Sequence, residues 1–588
     1  VNTRARAVAH GTGAALCGLV SGYAALTVAE LVSVAVRPGA GPVTAVGGAV
    51  VDRTPSAVKD WAIRQFGTQD KLVLQLGIVA VLAVFAAAMG LLARRHRRSA
   101  AAGVLVFGPV GAAAALSRPD STGPLDALPS LAGALVGAAA LYFLAGHLSY
   151  LVAADTGGAD AAAGPQANDA DALQADDADA PQADAADALQ ADAADALQAD
   201  AADAPQADAA DAPQADAADE ATAAEWPPRR RFVLATAGVA VVATGVGFGA
   251  RRLAANSSAR AEAARSAVRL PAPASPAPPL PRGVDLRLPG VAPFTTSNRD
   301  FYRVDTALDV PRIDTGGWRL RLYGKGVDTP RVLSFQELLG RDLIERDITM
   351  TCVSNEVGGP YVSSARWLGV PLRELLEEAG VRPPSRGGPA DQLVARSVDG
   401  MTIGTPVEAV MDGRDAMLAV GMNGRPLPFE HGFPLRMLVP GLYGYVSACK
   451  WIEDIELTTF DAYDAYWVRR DWAREAPVKT QSRIDTPKPF ARPQAGRVTV
   501  AGIAWAQRRG IDRVEVRVDD GPWQQAELAA EGSVDTWRQW RWDWPATPGS
   551  HTLQVRATDG TGVPQTGERA RTIPDGASGW HSVVVVVT

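Results

Sequence analysis

The sequence predicts a multi-domain protein: an N-terminal α-helical membrane bundle, a disordered acidic repeat linker, an α+β domain and a C-terminal β-sandwich. Three observations carry this. Apolar runs of membrane-crossing length crowd residues 1–153, an eight-residue acidic repeat follows, and from about 285 the texture turns to short alternating runs broken by Gly, Pro and Asp. At 588 residues the chain is also too long for one core.

The apolar runs fall near 11–36, 71–93, 100–117 and 129–153. About 20 residues at 1.5 Å each cross a hydrocarbon core of roughly 30 Å. The third run is the weakest, being short and carrying Pro109. Between the first two, Val58, Trp61, Ala62 and Phe66 recur at helical spacing and predict an amphipathic helix at the interface. Arg4 and Arg6, then Arg94, Arg95, Arg97 and Arg98, then Arg229 to Arg231 all fall on one side if the N-terminus is cytoplasmic.

The formal net charge of −8 is not spread evenly. Residues 154–228 hold about 19 of the 65 acidic residues and no Lys or Arg, so the remainder is mildly positive. Within this segment Gln174, Gln182, Gln190, Gln198, Gln206 and Gln214 mark the repeat, interrupted by Pro181, Pro205 and Pro213. Almost nothing apolar is present to form a core, which predicts a solvated spacer or an acidic docking tail. Nothing in the chain suggests nucleic acid as a partner.

A fifth apolar span occupies 232–250, within a segment taken as 229–252. Arg229-Arg230-Arg231-Phe232-Val233-Leu234 before it resembles a twin-arginine export signal, although basic residues flank many cytoplasmic helix ends. That export route carries folded proteins, so it suits a domain that receives a cofactor in the cytoplasm. Residues 253–284, including LPAPASPAPPLPRG, read as an extended Pro/Ala-rich stalk of roughly 40 Å. The catalytic domain beyond it is then expected outside the cytoplasmic membrane.

Residues 285–475 mix strands and helices. WRLRLYG (318–324), DITMTCV (347–353) and FPLRMLVPG (433–441) read as strands, and VPLRELLEEAG (370–380) as an amphipathic helix stopped by Gly380. Residues 476–588 are all β, with the spacing of an immunoglobulin-like sandwich. Its tryptophans at 523, 537, 540, 542 and 544 fit a core or a dimer surface.

The chemistry centres on TCVSNEVGGP, residues 351–360. The chain has three cysteines, Cys17, Cys352 and Cys449, with no CxxC pair. Cys352 reads as a buried apolar residue, as a nucleophile paired with His431, or as a single thiolate ligand to a soft metal. Residues 431–451 add His431, Arg436, Ser447 and Lys450 between glycines, a donor set suited to a phosphate.

From about 290 to 588 the chain resembles the sulfite oxidase family of molybdenum enzymes. The motifs that carry the resemblance are TCVSNEVGG, AMLAVGMNGRPLPFEHGFPLR, YGYVSACKW, and, in the last domain, VAGIAWAQRRGIDRVEVRVDDGPWQQA with HTLQVRATDGTG. The resemblance implies a sulfite-oxidase-like cofactor domain followed by an immunoglobulin-like dimerisation domain, with a homodimer through the latter. It implies molybdenum and molybdopterin as cofactors, with Cys352 as the protein's sulfur ligand and the dithiolene supplying the other sulfurs. His431, Arg436, Ser447 and Lys450 would meet the pterin phosphate. Asn298, Phe301 and Tyr302 match a further pterin-contacting stretch, and Ser397 is a pocket residue without a motif. Glu356, Tyr361 and Arg366 are catalytic-pocket candidates.

One departure bears on substrate. Sulfite-oxidising members carry Arg shortly after the metal Cys, whereas this chain has Glu356, a carboxylate that disfavours a sulfite dianion. The expected activity is therefore two-electron oxygen-atom transfer on a small sulfur- or nitrogen-oxo compound, sulfite or a neutral sulfoxide. The six histidines leave only His147 well inside a span, so electrons should pass through a separate cytochrome or quinone-linked carrier. The rival expectation is an inactive membrane scaffold or sensor that keeps the fold and binds a protein partner.

Overall fold

The computed structural model describes residues 3–55, 58, 65–66, 70–160 and 227–588. Most of the expected interfacial helix, Trp61 and Ala62 included, and most of the acidic linker lie outside the described residues.

Among the described residues five helices are long and apolar enough to cross a membrane. They lie within α1 (Thr3–Val36), α3 (Asp70–Ala93), α4 (Arg97–Leu116), α5 (Leu128–Asp160) and α6 (Pro228–Ala267). A short helix the sequence reading missed, α2 (Pro42–Arg53), fills the turn between α1 and α3. Its sequence, PVTAVGGAVVDR, is too Gly- and Val-rich to announce a helix, but Pro at its first position presets the backbone. Small residues let α1 pack tightly: a Cβ on Gly18 would come within 1.9 Å of the Ala86 carbonyl of α3, and one on Gly133 would meet the Ala25 carbonyl. Pro109 is carried inside α4 without ending it.

The C-terminal ends of α1, α4 and α6 and the N-terminal ends of α3 and α5 share one end of the bundle, and the β-rich half sits against it. Tyr466 Oη donates to Asp52 at 2.7 Å and Arg470 donates to the Asp52 carbonyl at 3.1 Å. The Arg clusters at residues 94–98 and 229–231 lie at the opposite helix ends.

The expected stalk is laid along the catalytic half instead of standing free. Ala261 and Val268 are buried in its core. Arg265 donates to the carbonyls of Leu427 and Pro426, and Ser275 pairs in parallel with Ile344. Arg346 clamps both the carbonyl and the hydroxyl of Ser275 at 3.0 Å. The segment covers the open edge of the strand Ile344–Thr351, which would otherwise expose unpaired backbone groups.

The α+β half contains two sheets. One has the order β2-β1-β10-β5-β6, built from β1 (Arg319–Gly324), β2 (Arg331–Ser334), β5 (Gln392–Ser397), β6 (Thr402–Pro406) and β10 (Ile452–Thr458). The other runs β3-β4-β7-β8, from β3 (Ile344–Thr351), β4 (Val362–Pro371), β7 (Met417–Met422) and β8 (Arg425–Pro426), with β9 (Arg436–Leu438) also paired to β7. The buried strand expected over 433–441 is thus only three residues long. Helix Leu372–Glu378 buries Leu372, Leu375 and Leu376, and Gly380 at φ +86° ends it as expected.

The last domain is a sandwich of two four-stranded sheets, β11-β12-β16-β15 and β14-β13-β17-β18. They are formed by β11 (Gln481–Thr486), β12 (Gly496–Trp505), β13 (Ile511–Val518), β14 (Gln524–Gln525), β15 (Glu527–Leu528), β16 (Arg538–Ala546), β17 (Gly549–Asp559) and β18 (His581–Val587). Trp540 and Trp544 fill its core. Trp537 instead ties the sandwich to the α+β half, donating from its indole to the Phe294 carbonyl at 2.9 Å and from its backbone N–H to the Thr349 hydroxyl oxygen at 2.8 Å. Trp523 lies partly exposed against Trp580, with Arg517 and Arg556 over its ring.

Candidate active site

Cys352 begins the loop that joins β3 to β4. The loop is held by its own polar groups: Cys352 N–H donates to Tyr361 O at 2.9 Å, Asn355 N–H to Cys352 O at 3.1 Å, and Tyr361 N–H to the Asn355 side chain at 2.8 Å. Gly358 takes φ +82°, and a Cβ there would lie 2.2 Å from the His581 ring. Arg483 donates to the Gly359 carbonyl at 2.8 Å. Two residues of the sandwich therefore seat the loop from below. The thiol is buried, and burial pushes its pKa up.

The cationic side forms around a second glycine. Gly432, at φ +112°, brings the His431 turn so close to Arg436 and Lys450 that a Cβ would lie 3.2 Å from each. Arg436 is 6 % exposed, lies over the Trp367 ring at 5.4 Å, and donates to the His431 carbonyl at 3.2 Å and to Met350 Sδ at 3.4 Å. Met350 precedes Cys352 by two residues, so the guanidinium reaches the strand that carries the thiol. Its Nε has no partner, and no carboxylate pairs with it among the described residues. Burial pulls its pKa down to about 10, which leaves it charged at neutral pH.

His431 is buried and its Nε2–H donates to the Asn298 carbonyl at 2.6 Å. Burial, then Arg436, lowers its pKa to about 4, so the ring is neutral and presents Nδ1 as a lone pair. Lys450 stacks over Trp451 at 4.5 Å and binds Asp305 at 2.8 Å. Burial lowers its pKa to about 8 against the opposing pull of Asp305.

An aromatic cluster links the two sides. Phe301 stacks on Tyr302 at 5.3 Å and meets His431 and Trp367 edge-on at 5.5 and 5.6 Å. Tyr302 lies within electrostatic reach of both Cys352 and Arg436, and burial raises its pKa. Tyr361 packs edge-on against Tyr302 at 6.4 Å.

The remaining sequence candidates are placed as follows. Asn298 spends its side chain on the β7–β8 turn, donating to Met422 O and accepting from Asn423. Ser447 donates to the carbonyls of Leu442 and Tyr443, within a short helix whose Gly444 lies beside Tyr302 Oη. Ser397 is buried at the end of β5, in a turn whose Val398 N–H bonds to Trp451 O, next to Lys450. Glu356 is exposed on the Cys352 loop. Arg366 is paired in two bonds with Asp347, at 3.0 and 2.7 Å. Asp305, Met350 and Trp367 were missed from sequence. They belong to no motif, and only the folded chain brings them to the donor set.

The donors fit the molybdenum cofactor. Among the described residues no group of three His, Cys, Asp or Glu could hold a metal, so a metal at Cys352 must bring its other ligands with it. A buried guanidinium with an unpartnered Nε and no carboxylate beside it, next to the Lys450 ammonium and a neutral imidazole, suits an anion.

Comparison with known proteins agrees. Residues 307–467 match the oxidoreductase molybdopterin binding domain. Mouse mitochondrial sulfite oxidase is 30% identical over 292 residues, 42% of this chain and 52% of the relative. Chicken sulfite oxidase is 30% identical, over 44% of this chain and 64% of the relative. A rice NADH nitrate reductase is 32% identical over 28% of this chain and 20% of its own length. The solved sulfane dehydrogenase SoxCD of Paracoccus pantotrophus aligns at 25% identity and a TM-score of 0.44, over 50% of this chain and 82% of its own. This chain spans about half the length of the mammalian relatives it matches. Residues 307–467 are thus a molybdopterin-binding oxidoreductase domain, and the chain around them is similar to the sulfite oxidases.

Proposed function

We propose that this protein is a membrane-anchored, extracytoplasmic oxidoreductase that transfers an oxygen atom to or from a small sulfur- or nitrogen-oxo compound. The observation that carries the reading is the pairing of a buried lone thiol with a buried, carboxylate-free Arg436. Together they suit a cofactor that offers a metal at one end and a phosphate at the other.

When bound, the molybdenum cofactor supplies two-electron oxygen-atom transfer. Cys352 would hold the metal, the loop's internal hydrogen bonds fixing where its sulfur points. Arg436 and Lys450 would bind the phosphate, joined by His431, and an arriving anion would favour protonation of the His431 ring. Tyr302 and Tyr361, both half-buried, would line the pocket and offer O–H donors to a substrate oxygen. Glu356 on the loop disfavours dianions, which points to a neutral oxo compound over sulfite. Ser447, Asn298 and Ser397 act in this reading by positioning the clamp, and Arg366 by fixing β4 to β3.

Five apolar helices support anchoring, and the segregation of the Arg clusters to the bundle end away from the catalytic half supports a cytoplasmic N-terminus. The motif Arg229 to Leu234 at the start of α6 suits export of a domain already loaded with cofactor. Electrons would be exchanged with a separate cytochrome or quinone-linked carrier, and the sandwich would serve as an immunoglobulin-like dimerisation domain. The test is to purify the full chain from a host that makes the cofactor and compare dye-linked sulfite oxidation with viologen-linked sulfoxide reduction. Activity in neither assay, together with absence of molybdenum and pterin, refutes the reading in favour of a catalytically inactive scaffold.

A further inference from the structure

Asp305 lies between the cofactor clamp and the membrane bundle, and its side chain is 3 % exposed. Its Oδ2 accepts from Lys450 Nζ at 2.8 Å and from Arg303 Nε at 2.8 Å. Its Oδ1 accepts from Lys71 Nζ at 2.6 Å. Lys71 stands in the first turn of α3, a membrane-crossing helix, and also donates to the carbonyls of Asp305, at 3.2 Å, and Ala307. Three residues beyond Asp305, Leu308 packs over Gly47 of α2, where a Cβ would lie 3.0 Å from its Cδ1.

A buried ammonium needs an anion, or it leaves water at a cost of several kcal/mol. Lys450 finds one carboxylate, the Glu430 carbonyl at 3.4 Å and the Trp451 ring. Asp305 is shared by three cations, Lys450, Arg303 and Lys71, at the phosphate end of the site. Lys71 competes with Lys450 for that carboxylate, and so tunes how much of the Lys450 charge is left for a phosphate.

We propose that Asp305 is a positioning residue for Lys450, and that Lys71 of the membrane bundle completes the cationic end of the cofactor site through it. The inference rests on the cofactor reading above. The bundle is then part of the site that retains the pterin, in addition to being an anchor. Asp305 belongs to none of the cofactor-site motifs, and Lys71 lies 236 residues before Ala307, so neither role is legible from local sequence.

The test uses the full chain in detergent, loaded in a host that makes the cofactor, with molybdenum content and the rate of pterin release as readouts. Asp305→Asn should release pterin about tenfold faster, the scale of losing a residue that supports a ligand-binding group. Lys71→Met should change the release rate several-fold, and Lys71→Arg should restore it, because a positive charge at that point is what the account requires. Asp52→Asn removes the charge that Arg118 and Tyr466 meet at the same docking surface, weakening both contacts without touching Asp305, and should leave the rate unchanged. Lys71→Met at the wild-type rate overturns the bundle's part in the site. An Asp52→Asn rate matching that of Lys71→Met overturns it too, by showing general loosening of the docked halves. Asp305→Asn at the wild-type rate overturns the positioning role. A wild-type chain with neither molybdenum nor pterin refutes the cofactor reading itself, which a loaded wild type with unaffected variants does not.

Discussion

At the scale of single residues, the site depends on two glycines and one carboxylate. Gly358 holds positive φ where the His581 ring leaves no room for a Cβ. Gly358→Ala should destabilise the Cys352 loop by about 1–3 kcal/mol and lower molybdenum retention, read by thermal unfolding and metal analysis. Glu356 is the residue by which the chain departs from the sulfite-oxidising pattern. Glu356→Arg should improve KM for sulfite by about tenfold relative to a neutral sulfoxide, since reversing a nearby charge acts mainly on the anion. His581 carries the pH dependence at this loop. Burial, then Arg483, lowers its folded pKa to about 4 from an ordinary value of 6.5. Between those values the unfolded chain binds a proton that the folded chain does not, so stability falls as pH drops through the window. His581→Gln should flatten that acid limb in urea unfolding measured from pH 7 to pH 4. At this scale the motifs, with their fixed spacings, nominated Cys352, His431, Arg436 and Lys450, and the fold brings the last three together around Gly432. Asp305 was not, because its meaning lies in partners far away in sequence.

At the scale of elements, alternation and helical spacing located β1 to within a residue, and β3 and the helix at 372–378 to within two or three. They failed where tertiary contacts decide conformation. β9 shrinks to three residues because Arg436 must sit inside the clamp, after the His431 turn. The proline-rich segment 270–283 has the composition of a free spacer, yet the exposed edge of β3 gives its backbone a partner at Ser275. Arg346→Ala should remove two hydrogen bonds to that strap, weakening its attachment by about 1–2 kcal/mol. Limited proteolysis should then cut within 270–283, where the wild-type chain resists.

At the scale of the whole molecule, composition and charge placed the membrane-length helices and the β-rich half in the right order along the chain. Composition carries no record of docking, which rests on scattered pairs such as Tyr466 with Asp52 and Lys71 with Asp305. The orientation we propose sets the Arg clusters in the cytoplasm and the catalytic half outside. The account's central claim is that one protein sulfur, from Cys352, completes a molybdenum site otherwise built by the cofactor. X-ray absorption at the molybdenum edge of the purified full chain, wild type beside Cys352→Ser, tests it most directly. The account predicts bound molybdenum in the wild type and the loss of a single sulfur ligand in the variant, with pterin still retained by Arg436 and Lys450. An unchanged sulfur count in Cys352→Ser would contradict it.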